Sequence, residues 1–292
     1  MNKKILEHYL AYSQFTYPGR YEEDLQKLPG EIEQLGTLIR KQLIHSSTLA
    51  DGNTGSNADM KYGDMTKVPW YRQKEDDYFQ TAGAILTELY RRDPRGIVAD
   101  RAVENKLVLT CRYTTLLVAA VLKAKGIPCR VRSGYAPYFP IEKGSWDHWI
   151  NEYWNEKEQR WITVDVDGMF HNTGYNMLDL PKEAFDFPAV AWINCRQGKD
   201  TPNRFTNAAP ATGFKVIGWA LFYDFHCLMN NEIIYLHLPA YYSTRWNNLT
   251  DTDLHELDAL AKLLLEPDNN FNELQGIWET EKKFRILKGS LL

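Results

Sequence analysis

The chain has 292 residues, of which 44% are apolar, 25% charged and 13% aromatic, and its formal net charge is −4. That length supports a sizeable core in a soluble globular protein, and the mild acidity argues against nucleic acid as a partner. No run of about 18 apolar residues reads as a membrane span, and the opening MNKKILEHYLAYSQ lacks the apolar stretch and cleavage site of a secretory signal.

In chain order, Ile32, Leu35, Leu38, Ile39, Leu43 and Ile44 recur at three- and four-residue spacing and predict a first helix. Tyr78, Phe79, Ala82, Ile85, Leu86, Leu89 and Tyr90 predict another, ended before Pro94. Between them, 50–67 is rich in Gly, Asn and Asp, shows no period, and is expected to be poorly ordered or to form a loop over the cleft. Leu116 to Leu122 is apolar on every face and predicts a buried helix, stopped by Gly126 and Pro128. CRVRSGYA, HWINEYW and RWITVDV read as strands, the last two forming an antiparallel hairpin across the polar NEKEQ. Phe214 to Asn231 predicts a second buried helix. Thr250 and Asp253 form a capping box ahead of a helix carrying Leu254, Leu257, Leu260, Ala261, Leu264 and Leu265. The expected architecture is a single α+β domain over 1–292, with a buried helix on a small antiparallel sheet. It has a helical N-terminal part at 1–100, a core at about 103–170 and a mostly helical C-terminal part at 171–292.

Cys111 opens the buried helix, His148 opens the second strand and Asp165 lies near the end of the third. A thiolate is the nucleophilic form of cysteine, and a helix N-terminus with an imidazolium beside it favours that form. The imidazole in turn needs a carboxylate to fix its tautomer. A four-residue turn at Asn155 to Glu158 sets Trp154 opposite Gln159 and His148 opposite Asp165. Asp167, on the same face, is the rival and needs the pairing to slip by two, leaving Trp161 unmatched. The backbone N–H of Cys111 is placed to meet an oxyanion, and Asn105 is a second amide donor whose plainer role is in a loop. Trp146, Trp149 and Trp154 divide between cleft and core. The other cysteines, Cys129, Cys195 and Cys227, form no Cys-x-x-Cys pair with one another or with Cys111, so the expectation is free thiols in a reducing, cytoplasmic compartment. His226 beside Cys227 has no second ligand pair, so no metal is expected.

The stretches CRYTTLLVAAVLKAKGIPCRVRSGY and DHWINEYWNEKEQRWITVDVD resemble the transglutaminase-like superfamily of bacterial single-domain type. Cys111, Gly126-Ile127-Pro128, Arg130, His148, Trp161 and Asp165 fall on its motif positions. The resemblance implies a papain-like fold and a Cys111–His148–Asp165 triad acting on an amide or acyl group. The implied substrate is a peptide, protein or small amide, with no cofactor. Hydrolysis through a thioester is favoured because the extra β-sandwich domains of animal crosslinkers are not in this sequence. Peptide N-glycanase chemistry is disfavoured by the lack of paired Cys-x-x-Cys motifs. Thr110, Tyr113 and Val166 depart from the family's usual residues, which weakens any inference about substrate. The alternative is a catalytically silent peptide-binding module of the same fold.

Overall fold

The computed structural model describes residues 1–46, 49, 65–139, 144–207, 211–235, 237–243 and 245–285. The fold is α+β, and the chain divides into two compact units. The first comprises Met1–Val131 and Trp149–Pro181; the second comprises Arg132–His148 and Lys182–Leu292.

The first unit begins with α1 (Lys3–Leu10), capped by the Asn2 side chain, which accepts the Lys4 N–H at 2.9 Å. α2 (Glu22–Gln26) and α3 (Ile32–Arg40) follow. The first predicted stripe ends earlier than its period implies. Leu43 and Ile44 form β1 (Leu43–Ile44), paired in parallel with β2 (Leu107–Val108). A partner so far along the chain leaves no mark on local periodicity. α4 (Ala82–Arg92) also starts later than expected, because Thr81 caps it by accepting the Ala84 N–H at 3.2 Å. Tyr78 is therefore outside the helix and 76% exposed. The helix ends before Pro94, as expected. Of the predicted loop, 50–64 lies outside the described residues, and Met65–Lys67 forms a 3-10 turn.

α5 (Cys111–Ala124) is buried along its whole length and packs on α2, α3 and α4. Its all-round apolar sequence has no face to give to water. Gly126, at φ +77°, donates its N–H to the Lys123 carbonyl, and the Ile127 N–H reaches the Leu122 carbonyl. This left-handed exit satisfies two of the orphan carbonyls and turns the chain into the sheet.

β3 (Cys129–Ala136), β4 (Ser145–Asn155) and β5 (Arg160–Val164) are neighbours in that order. β4 and β5 are antiparallel, with Trp154 opposite Trp161 and Asn155 opposite Arg160. The expected register is thus corrected by two residues. The turn is Glu156 to Gln159, because Asn155 stays in the ladder. Its Oδ1 accepts the N–H groups of Lys157 and Glu158 at 3.0 and 3.2 Å, and Gln159 adopts φ +55°. Nor is Trp161 left unmatched. It meets Trp154 edge to face, with ring centroids 5.6 Å apart. The Arg130 guanidinium lies 4.3 Å from the Trp161 ring centroid and pairs with Glu152 at 2.7 Å.

The second unit contains α6 (Pro188–Arg196), β6 (Phe205–Thr206), α7 (Phe214–Leu228), α8 (Ala240–Ser243), α9 (Asp251–Leu264) and α10 (Phe271–Thr280). β6 pairs in parallel with Ser145 and Trp146 of β4. α7 is the second predicted buried helix, and it packs against α6. The capping box is present: the Asp253 N–H donates to Thr250 Oγ1 at 3.2 Å, and the Thr250 N–H donates to Asp253 Oδ2 at 2.8 Å. Two charges are buried here that the apolar pattern of α7 hides. Arg132 donates through Nε and Nη2 to the two oxygens of Asp224, each at 2.8 Å, while its guanidinium stacks 4.4 Å from the Phe187 ring centroid.

His226, also on α7, is a structural histidine. Its Nε2 lies 3.1 Å from the Phe284 carbonyl and its Nδ1 lies 3.0 Å from the Asn231 amide nitrogen. A carbonyl only accepts, so the proton sits on Nε2, and Nδ1 accepts from Asn231. Burial, reinforced by Arg285, lowers its pKa to about 4. Between that value and the unfolded value near 6.5, only the unfolded chain binds the proton. Stability therefore falls as the pH drops through this window, by on the order of 3 kcal/mol, and this contribution is flat above it. Urea unfolding across the window should show a steeper pH dependence for wild type than for His226→Gln. Equal slopes would remove His226 as the cause.

Candidate active site

Thr110 is extended, at φ −89° and ψ 179°, and Cys111 is the first helical residue after it. The chain enters α5 from β2, with the Leu109 N–H bonded to the Ile44 carbonyl at 2.9 Å. Cys111 is 7% exposed. The first turn of α5 carries no acidic residue, and Thr110 makes no side-chain cap hydrogen bond. The positive end of the helix is consequently not neutralised by a side chain of its own first turn. Arg112, fully buried, lies beside the Phe15 and Tyr113 rings, with centroids at 5.2 and 4.9 Å.

Asp165 is the residue that follows β5. It is 1% exposed, and its backbone N–H donates to the Met177 carbonyl at 2.9 Å. One carboxylate oxygen, Oδ1, accepts the Gly168 N–H at 2.9 Å. A Cβ on Gly168 would come within 2.6 Å of Asp165 Oδ2, so only glycine lets the chain turn this tightly around the carboxylate. Asp167 has a different partner. Its Oδ1 lies 2.5 Å from Nη1 of Arg40, whose side chain is wholly buried. The two are close but not aligned as a directional hydrogen bond, so the contact is charge pairing.

His148 belongs to the second unit, on β4. It is 3% exposed, and Phe139 meets its ring edge to face at 4.9 Å. The β4–β5 ladder stops at the Asn151–Val164 pair, and its register is the one shifted by two, so the turn expected to select Asp165 over Asp167 does not do so. The difference lies in what each carboxylate already does: Asp167 balances a buried arginine, while Asp165 folds back on a glycine N–H. The contact of Phe139 with His148, and those of Gly168 and Met177 with Asp165, were not legible in the sequence, because each is a tertiary contact or runs through a backbone group.

Asn105 lies in a 3-10 turn before β2, where its carbonyl accepts from Arg101 Nη1 at 3.3 Å. Trp149 and Trp154 are buried, and Trp146 is partly exposed. The four cysteines are free thiols. Burial pushes the Cys195 thiol up to about 11, and Cys129 and Cys227 are fully buried. Among the described residues, no cluster of His, Cys, Asp or Glu is placed to hold a metal ion, and no helix is long and apolar enough to cross a membrane.

Residues 71–166 match the family model described as the transglutaminase-like superfamily, a span that contains Cys111, His148 and Asp165. Comparison with curated proteins and comparison with solved structures each found no match.

Proposed function

We propose, on the premise that residues 71–166 belong to the transglutaminase-like superfamily, that the protein is a cysteine-dependent amide hydrolase or acyltransferase. The observation that carries this reading is the position of Cys111 at the head of a fully buried helix whose first turn holds no acidic side chain. A helix N-terminus presents unpaired N–H groups and a partial positive charge at that residue, where an anion formed on attack is stabilised. In the proposed cycle the sulfur attacks the carbonyl of a peptide, protein or small amide, and the Cys111 N–H receives the oxyanion. His148 carries the thiol proton to the leaving amine, and Asp165 fixes the imidazole. The thioester is then released by water, or by an amine in the transferase case.

Thiol reactivity tests the reading. At about pH 6, iodoacetamide should label Cys111 roughly tenfold or more faster than Cys129, Cys195 or Cys227. Peptide mass spectrometry reads the four sites separately. Trapping of an acyl group from lysate should be lost in Cys111→Ala. Uniformly slow labelling of all four thiols would replace the enzyme reading with the peptide-binding module.

A further inference from the structure

One short segment brackets Cys111 from both sides. Upstream, the Glu75 carboxylate accepts the N–H of Val108, in β2, at 2.7 Å. Downstream, the Tyr113 hydroxyl donates to the Asp76 carbonyl at 2.6 Å, and Arg112 Nη1 donates to the Gln80 carbonyl at 3.3 Å. Glu75 is 6% exposed and receives Arg72 Nε and Arg92 Nη2, each at 2.6 Å. The same arginines direct further N–H groups to the backbone ahead of the cysteine. Arg72 reaches the Glu104 carbonyl at 2.8 Å and the Lys106 carbonyl, and Arg92 reaches Lys106 at 2.7 Å. Glu88 completes the set, accepting from Arg92 Nε at 2.7 Å.

Two carboxylates and three guanidiniums meet here: Arg91, largely exposed, also donates to both oxygens of Glu88 at 2.7 Å, while Glu75, Glu88, Arg72 and Arg92 are largely buried and each hydrogen-bonded, which is the condition under which such charges are tolerated. An ion cluster that served stability alone has no need of the chain at 104–108, yet several of these bonds end there. The usual device for orienting a helix start, an N-cap side chain, is not used at Thr110.

We infer that Glu75 is a positioning residue for Cys111. Through Val108 and the two arginines it fixes the strand that leads into α5, and so the angle at which the helix N-terminus faces the sulfur. This inference rests on the reading of Cys111 as the nucleophile.

The experiment is the pH–rate profile of iodoacetamide labelling, read at each cysteine by mass spectrometry, in wild type, Glu75→Gln and Arg72→Lys. Glutamine keeps an acceptor for Val108 but loses the charge that holds both arginines. Labelling of Cys111 near pH 6 should slow about tenfold, the scale of a helix-terminus effect, so that its pH–rate profile departs from that of wild type. Circular dichroism and the labelling of Cys195 should stay as in wild type. A structural defect alone would speed the buried thiols rather than shift the profile of Cys111. A folded Glu75→Gln with the wild-type profile overturns the inference and leaves the enzyme reading intact. Should Glu75→Gln not fold, Arg72→Lys decides by the same criterion, since it keeps the charge and gives up bonds to the Glu104 and Lys106 carbonyls. A wild-type Cys111 no faster than the other thiols removes the nucleophile reading and this inference with it.

Discussion

Asp165→Asn should slow single-turnover acylation of Cys111 by up to about 10⁴-fold, the loss that follows when a triad carboxylate becomes an amide. The amide turns an N–H₂ toward the imidazole and favours the wrong tautomer. The fold should survive, because the asparagine Oδ1 can still accept the Gly168 N–H that Asp165 Oδ1 accepts at 2.9 Å. Asp167→Asn should do the reverse. It takes the counter-charge from Arg40, whose side chain is wholly buried, and breaking such a pair typically costs about 3–5 kcal/mol. Acylation per folded molecule should change little. Urea denaturation and single-turnover kinetics on both variants separate the two roles. A folded Asp167→Asn that has lost acylation, beside an Asp165→Asn of near wild-type rate, would exchange the assignments.

The second large effect belongs to the Arg132–Asp224 pair. Asp224→Ala leaves a guanidinium buried against Phe187 without its carboxylate, and a stability loss of about 3–5 kcal/mol is expected in urea. The double variant Arg132→Met with Asp224→Leu should recover most of that loss, since a well-packed apolar pair often matches a buried ion pair. A single variant within about 1 kcal/mol of wild type would show that solvent or another group compensates Arg132.

What the sequence disclosed and what it hid follow a physical line. α5 was legible at both ends, since its all-round apolar run, Gly126 and Pro128 are local signals. β3 and the position of Cys111 at a helix start were legible for the same reason. The hairpin was recognisable but its register was not. In NEKEQ all five residues are polar, and the turn that leaves Asn155 in the ladder is held by its side chain bonding forward to Lys157 and Glu158 and by the positive φ of Gln159. One residue of error at a turn becomes two in the pairing. Leu43 and Ile44 fitted a helical stripe, and the parallel partner that makes them a strand lies at Leu107 and Val108. The Asp224 carboxylate sat unnoticed in an apolar run because its meaning depends on Arg132, which no local period connects to it.

The corrected register also gives the protein an optical label. Trp154 and Trp161 stand edge to face across the two strands, with Arg130 over the second ring. Indoles this close couple their electronic transitions. The hairpin that ends one residue before Asp165 therefore carries its own circular-dichroism couplet in the ultraviolet, without an added dye. A slip of the strands by even one step would turn one ring to the opposite face and erase that couplet, so the geometry next to the site can be watched by absorption of polarised light while substrate is added.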